Sequence, residues 1–275
     1  MDSPKPVIVA ALFPEIHAEL ITLLKNLSVQ DWQKSTVCPG WTVKDVALHL
    51  LGGEIGNISR RRDGWEASAS INNWRELVTF VNDWNQTWIT AARRISPPLL
   101  IDLLELTGTQ MTAYFQTLDP FSMGASVDWV GPQPAPVWLD LAREYTERWH
   151  HQQHIRDAVD RPGLKQPKFI SPVLETFIQA LPRTFETTAS DENTSVTVSI
   201  TGPAGGRWSV LRENGAWILY SGAPEHPSAE VIVDQDIAWR LFTRGMDQEL
   251  ARKQMIFKGD QNLAHQVLGL ISIIA

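Results

Sequence analysis

The stretch EYTERWHHQQHIRDAVDRP, Glu144 to Pro162, concentrates side chains that bind metals or carry protons. Three of the chain's seven histidines and two glutamates fall between Glu144 and His154. Wound as a helix at roughly 100° per residue, Glu144, Glu147, His150, His151 and His154 share an arc of about 120°. Two pairs spaced four apart, Glu147 with His151 and His150 with His154, can each reach one ion. The two-histidine helix of metalloproteases uses the same spacing, but the rest of that pattern is missing, so a protease is excluded. The competing reading is a wet helix face carrying ordinary polar pairs.

A metal site needs a ligand from a second element, and His49 in DVALHLLGGE offers one. A histidine among apolar residues is most often a core residue with satisfied nitrogens. Helical bundles, however, build metal sites from histidine and carboxylate on facing helices. Two histidines and a carboxylate form the ligand set of a catalytic zinc site, with a position left for water or substrate. The single cysteine, Cys38, lies in a Pro-Gly turn with no base beside it in sequence, which predicts packing against Trp32 and Trp41 rather than catalysis. Any further thiol chemistry must arrive with a small molecule.

Two kinds of element must position these groups. Up to about residue 160 the apolar spacing is helical. VAALFPEIHAELITLLKNL, TVKDVALHLLGGEIGNISRRR, NNWRELVTFVNDWNQTWITAARRI and PPLLIDLLELTGTQMTAYFQTL predict four helices ahead of the histidine-rich one. Thr42 followed by Asp45 predicts a capped start for the second, and the paired prolines suit the first turn of the fourth. DWVGPQPAPVW reads as a loop and DRPGLKQPKFISP as a linker. Beyond it PVLETFIQALPRTFE predicts a helix, then TSVTVSI, RWSVLRE, AWILYSG, AEVIVD and MIFKGD predict strands. QDIAWRLFTRG and QNLAHQVLGLISII predict further helices. The expected fold is a mainly α four-helix bundle over residues 1–165 and a smaller α+β domain over 166–275.

The net charge of −7 argues against nucleic acid, whose phosphates need a basic surface. No apolar run is long enough to span a membrane. The first twenty residues lack a signal peptide's layout, and one cysteine suits a reducing compartment. The expectation is a cytoplasmic protein, monomeric or a small homo-oligomer.

The segment DWQKSTVCPGWTVKDVALHLLGGE resembles the opening of the mycothiol-dependent maleylpyruvate isomerase family, and TERWHHQQHIRDAVDRPG resembles its second signature. The resemblance implies a DinB-like metal-binding bundle followed by a sterol-carrier-like domain. It puts metal ligands at His49, Glu147 and His151. Where much of the family has an aspartate, this chain has His154, which leaves His49 with His150 and His154 as an alternative set. The resemblance also implies a divalent metal, zinc by ligand type, and mycothiol or another small thiol as cosubstrate. Such a thiolate adds to a cis double bond, allows rotation and leaves, or transfers to an electrophile. An acidic substrate calls for arginine, with Arg148, Arg240 and Arg244 as leading candidates beside Arg207, Arg252 and Arg156. Trp41 and Trp149 are candidates to line the pocket. Other readings are a non-enzymatic metal- and ligand-binding module, and a hydrolase using metal-bound water.

Overall fold

The computed structural model describes residues 1–65, 71 and 73–274. The chain divides into two compact units. One consists chiefly of Ile8–Ser122 and Arg143–Lys165, the other of Met1–Val7, Met123–Ala142 and Gln166–Ile273.

The first unit is helical. It contains α1 (Phe13–Lys25), α2 (Val43–Asn57), α3 (Trp74–Ala92), α4 (Pro97–Thr117) and, from Arg143 onward, α5 (Val137–Ala158). Local chemistry explains the starts. Thr42 and Asp45 form a reciprocal capping box at α2, and the Asn73 side chain accepts from the Glu76 amide at α3. Prolines occupy the first turns of α1 and α4, where an amide donor is not needed. α4 packs on α1 and α2, and α3 packs on α2. The core joins Leu20 and Leu24 of α1, Val46 and Leu51 of α2, Leu100 and Leu104 of α4, and Ile155 of α5. Each buried leucine contributes about 2 kcal/mol by area, an upper estimate. Gly52 permits the approach of α3 to α2. A Cβ there would lie 2.6 Å from Nε1 of Trp88, the atom that donates to the Leu48 carbonyl.

The second unit carries the sheets. β1 (Met123–Ser126) and β2 (Pro134–Pro136) form a two-stranded antiparallel ribbon. The PQPAP segment therefore pairs, contrary to its reading as a loop; prolines are tolerated because β2 is an edge strand. After α6 (Pro167–Phe177) and the short α7 (Leu181–Thr184) come β3 (Ser195–Thr201), β4 (Gly206–Glu213), β5 (Ala216–Ser221) and β6 (Ala229–Asp234). α8 (Gln235–Phe242), α9 (Gln248–Arg252), β7 (Ile256–Gly259) and α10 (Gln261–Gln266) complete the unit. The sheet order is β5-β4-β3-β6-β7, parallel only between β3 and β6. β3 is buried from Ser195 through Ile200, on both faces, as a central strand should be.

Two predicted helices end before their patterns do. The one predicted from Pro172 in fact starts at Pro167, inside the segment read as a linker, and gives way to a 3₁₀ turn at Ile178–Ala180 before Pro182. The last ends at Gln266, followed by a 3₁₀ turn over Val267–Gly269. Ser272 instead bonds tertiary partners, its amide to the Phe242 carbonyl and its hydroxyl to that of Phe177. No helix among the described residues is long and apolar enough to cross a membrane.

Candidate metal centre

The histidine-rich helix is buried rather than wet. His150, His151 and His154 are 2%, 9% and 4% exposed, which removes the solvated-face reading. α5 presents Glu147 and His151 one turn apart, and α2 presents His49 opposite them. A single Glu147 carboxylate oxygen lies 3.5 Å from Nε2 of His151 and 4.0 Å from Nε2 of His49. The three side chains offer ligand atoms that all lie within 4.8 Å of one another.

These separations fit a metal. Nitrogen and oxygen ligands about 2.0–2.1 Å from a tetrahedral zinc ion stand roughly 3.3 Å apart. Glu147 and His151 at 3.5 Å are already near that spacing, and His49 at 4.0 Å would have to draw in by about 0.7 Å. Glu147 keeps 30% of its side-chain surface exposed, against 16% for His49 and 11% for His151. The open side of the trio is therefore the carboxylate's.

The electrostatics match the donor types. Burial favours the neutral form of His151 and, with the neighbouring His150 and His49, holds its pKa down to about 3. A neutral imidazole is the form that ligates. Burial opposes charge on Glu147, yet His150, His151 and His49 around it hold its carboxyl well below the usual range.

His150 does not join the trio. Its Nδ1 is 2.7 Å from the Thr146 carbonyl, one turn back, which fixes Nδ1 as the protonated nitrogen. Among the described residues, His49, His150 and His154 do not form a ligand cluster; the clusters found are His49–Glu147–His151 and Cys38–His151–His154. Glu144, on the same predicted arc, faces a different neighbourhood. Its carboxylate accepts from Asn57, Arg143 and Arg148, and Arg61 stands 3.6 Å away. Burial resists ionisation there, but the three arginines hold the pKa down to about 2. Arg61 reaches this position because α2 loosens into a π-helical stretch, Ile58–Arg62, at its end.

The arginine and tryptophan candidates separate in the same way. Arg148 is 6% exposed and committed to Glu144. Arg240 lies with its guanidinium 4.3 Å from the Trp239 ring centroid, and Arg244 has a left-handed backbone, φ 55°. Both belong to the sheet unit, whereas the trio belongs to the helical one. Trp41 packs 5.2 Å from the His49 ring, centroid to centroid, a good position to flank the site. Trp149 is fully buried and donates to the Leu164 carbonyl, a structural role.

Cys38 has a neighbour that sequence reading missed. The Cys38-Pro39-Gly40-Trp41 turn is closed by the Trp41 amide on the Cys38 carbonyl, 3.1 Å, with Gly40 at φ +75°. That geometry needs glycine at the third position of the turn. Cys38 packs at the edge of the core cluster that holds Trp32, as expected. Its Sγ also lies 3.3 Å from Nδ1 of His154. No local spacing signals a contact 116 residues apart. Burial pushes the Cys38 thiol pKa up, against a hydrogen bond from Thr36.

Comparison with known proteins adds a family. A family model described as mycothiol maleylpyruvate isomerase N-terminal domain matches residues 13–156. A solved structure of a histidine-to-alanine mutant of mycothiol-dependent maleylpyruvate isomerase is similar over 84% of this chain and 86% of that one, with 13% identity and a TM-score of 0.50. A second structure of mycothiol-dependent maleylpyruvate isomerase has 12% identity and a TM-score of 0.47 over the same shares. At its identity the first of these likenesses speaks to the fold. No curated protein sequence matches the chain.

Proposed function

The chain belongs to the mycothiol maleylpyruvate isomerase family, and from that premise we propose that it is a metal-dependent enzyme which activates a small thiol of the mycothiol type. It uses that thiol to isomerise a small, acidic, unsaturated substrate. His49, Glu147 and His151 hold the ion, zinc by the chemistry of its ligands. The observation that carries this reading is the convergence of one Glu147 oxygen with Nε2 of His151 at 3.5 Å and of His49 at 4.0 Å.

A divalent ion in such a set supplies positive charge that stabilises a thiolate over its thiol. The protein's own part is to hold the trio neutral-histidine and ionised-carboxylate, to leave the carboxylate side open, and to flank it with the Trp41 ring. The chain has a single cysteine, whose pKa burial raises, so the nucleophilic sulfur is the cosubstrate's. Arg240 and Arg244 remain the candidates to bind a substrate carboxylate; Arg148 serves Glu144. We read the helical unit as the DinB-like bundle and the sheet unit as the sterol-carrier-like domain, with the domain boundary after residue 165.

The test is a spectroscopic assay of maleylpyruvate isomerisation with and without mycothiol. Turnover that requires both the thiol and a bound divalent metal supports the reading. Turnover without thiol, or undiminished in the metal-free protein, refutes it.

A further inference from the structure

His151 belongs to two donor sets, and only one is accounted for above. The second is Cys38, His151 and His154, whose ligand atoms also lie within 4.8 Å of one another. Cys38 Sγ and His154 Nδ1 are 3.3 Å apart. A thiolate at about 2.3 Å and an imidazole at about 2.05 Å from a tetrahedral ion would stand roughly 3.5 Å apart. His151 is 9% exposed, and its Nδ1 is buried without a hydrogen-bond partner among the described residues. A buried polar atom left unmatched is costly unless something satisfies it, so the imidazole is prepared for a ligand beyond its contact with Glu147.

We propose that Cys38, His151 and His154 form a second cation site, specific for a thiophilic ion, which competes with the first site for His151. The donor set is one sulfur and two imidazoles, with no carboxylate. Thiolate selects soft or borderline ions such as Cd²⁺, Cu⁺ and Zn²⁺. The first set, with its carboxylate, accommodates harder ones. Binding replaces the proton that the Cys38 thiol holds against His154 Nδ1, and that proton leaves to solvent. A neutral imidazole has one lone pair to give, so His151 serves one ion at a time.

The chain's single cysteine makes the test specific. Metal-free protein is titrated with Cd²⁺ or Co²⁺ in the absence of any small thiol, and the sulfur-to-metal charge-transfer absorption is followed. The wild type should develop the band to saturation. His49→Ala and Glu147→Gln should keep it, Cys38→Ser should lose it, and His154→Gln should weaken the apparent affinity at least tenfold. Circular dichroism of Cys38→Ser checks that the fold survives. If that variant misfolds, the His154→Gln titration decides alone. No band in the wild type overturns the proposal. A band that disappears in His49→Ala also overturns it, because Cys38 would then belong to the first site.

Discussion

One oxygen of Glu147 stands 3.5 Å from Nε2 of His151, one turn along the same helix and on the exposed side of an otherwise buried histidine cluster. The spacing is set by the helix alone; what makes it a candidate metal centre is His49 arriving from α2 at 4.0 Å from that same oxygen. Purified protein should carry about one divalent ion per chain. His151→Ala should weaken binding by more than about 100-fold, since even outer-shell partners of metal ligands cost 10–100-fold when lost. Elemental analysis after dialysis checks it. Full occupancy in His151→Ala would refute this ligand set.

The buried Glu144 cluster should govern stability without governing metal. Glu144→Gln leaves Arg61, Arg143 and the buried Arg148 without the carboxylate they surround. Breaking a buried ion pair by removing one partner costs about 3–5 kcal/mol. Urea denaturation should show a loss of that order, while metal content stays at the wild-type level. A variant that unfolds normally but loses its metal would reassign Glu144 to the site.

Glu54 should make stability fall as pH rises. It is buried beside His17 and accepts from Thr107, and burial lifts its pKa from 4.5 to about 7 despite Arg148. The folded state therefore binds more protons than the unfolded state between pH 4.5 and 7. Stability from this group is full below the unfolded pKa and declines across that window, by on the order of 3 kcal/mol in all. Glu54→Gln, which keeps an acceptor for Thr107, should match the wild type near pH 4.5 and exceed it by that amount at pH 8. Equal urea midpoints at pH 8 would contradict this.

Much of this was legible in the sequence where the signal is local. The capping box at Thr42 and Asp45, the five strands after Ser195 and the Glu147–His151 spacing all depend on residues a few positions apart. The failures arise elsewhere. The early end of α10 and the Cys38–His154 contact are decided by partners distant in sequence, and the β1–β2 ribbon by a pairing that its prolines disguise as a loop. Glu144 shows the limit most clearly. A helical wheel groups it with Glu147 and His151, but Asn57 from α2 and three arginines draw it into another cluster. The segment read as a linker is helical from Pro167 onward, and ahead of that it is tied down by the Leu164 and Gly163 carbonyls, which accept from Trp149 and Gln153.

The central claim is that the ion at His49, Glu147 and His151 activates a thiol supplied in solution. The most direct measurement uses a Cys38→Ala variant loaded with cobalt, so that no protein thiol can contribute. Adding mycothiol should produce a saturable sulfur-to-cobalt charge-transfer band, and the further change His49→Ala should abolish it. The thiol, about 8.5 in pKa when free, should bind as thiolate at neutral pH. Absence of the band in cobalt-loaded Cys38→Ala, with mycothiol in excess, would contradict the account.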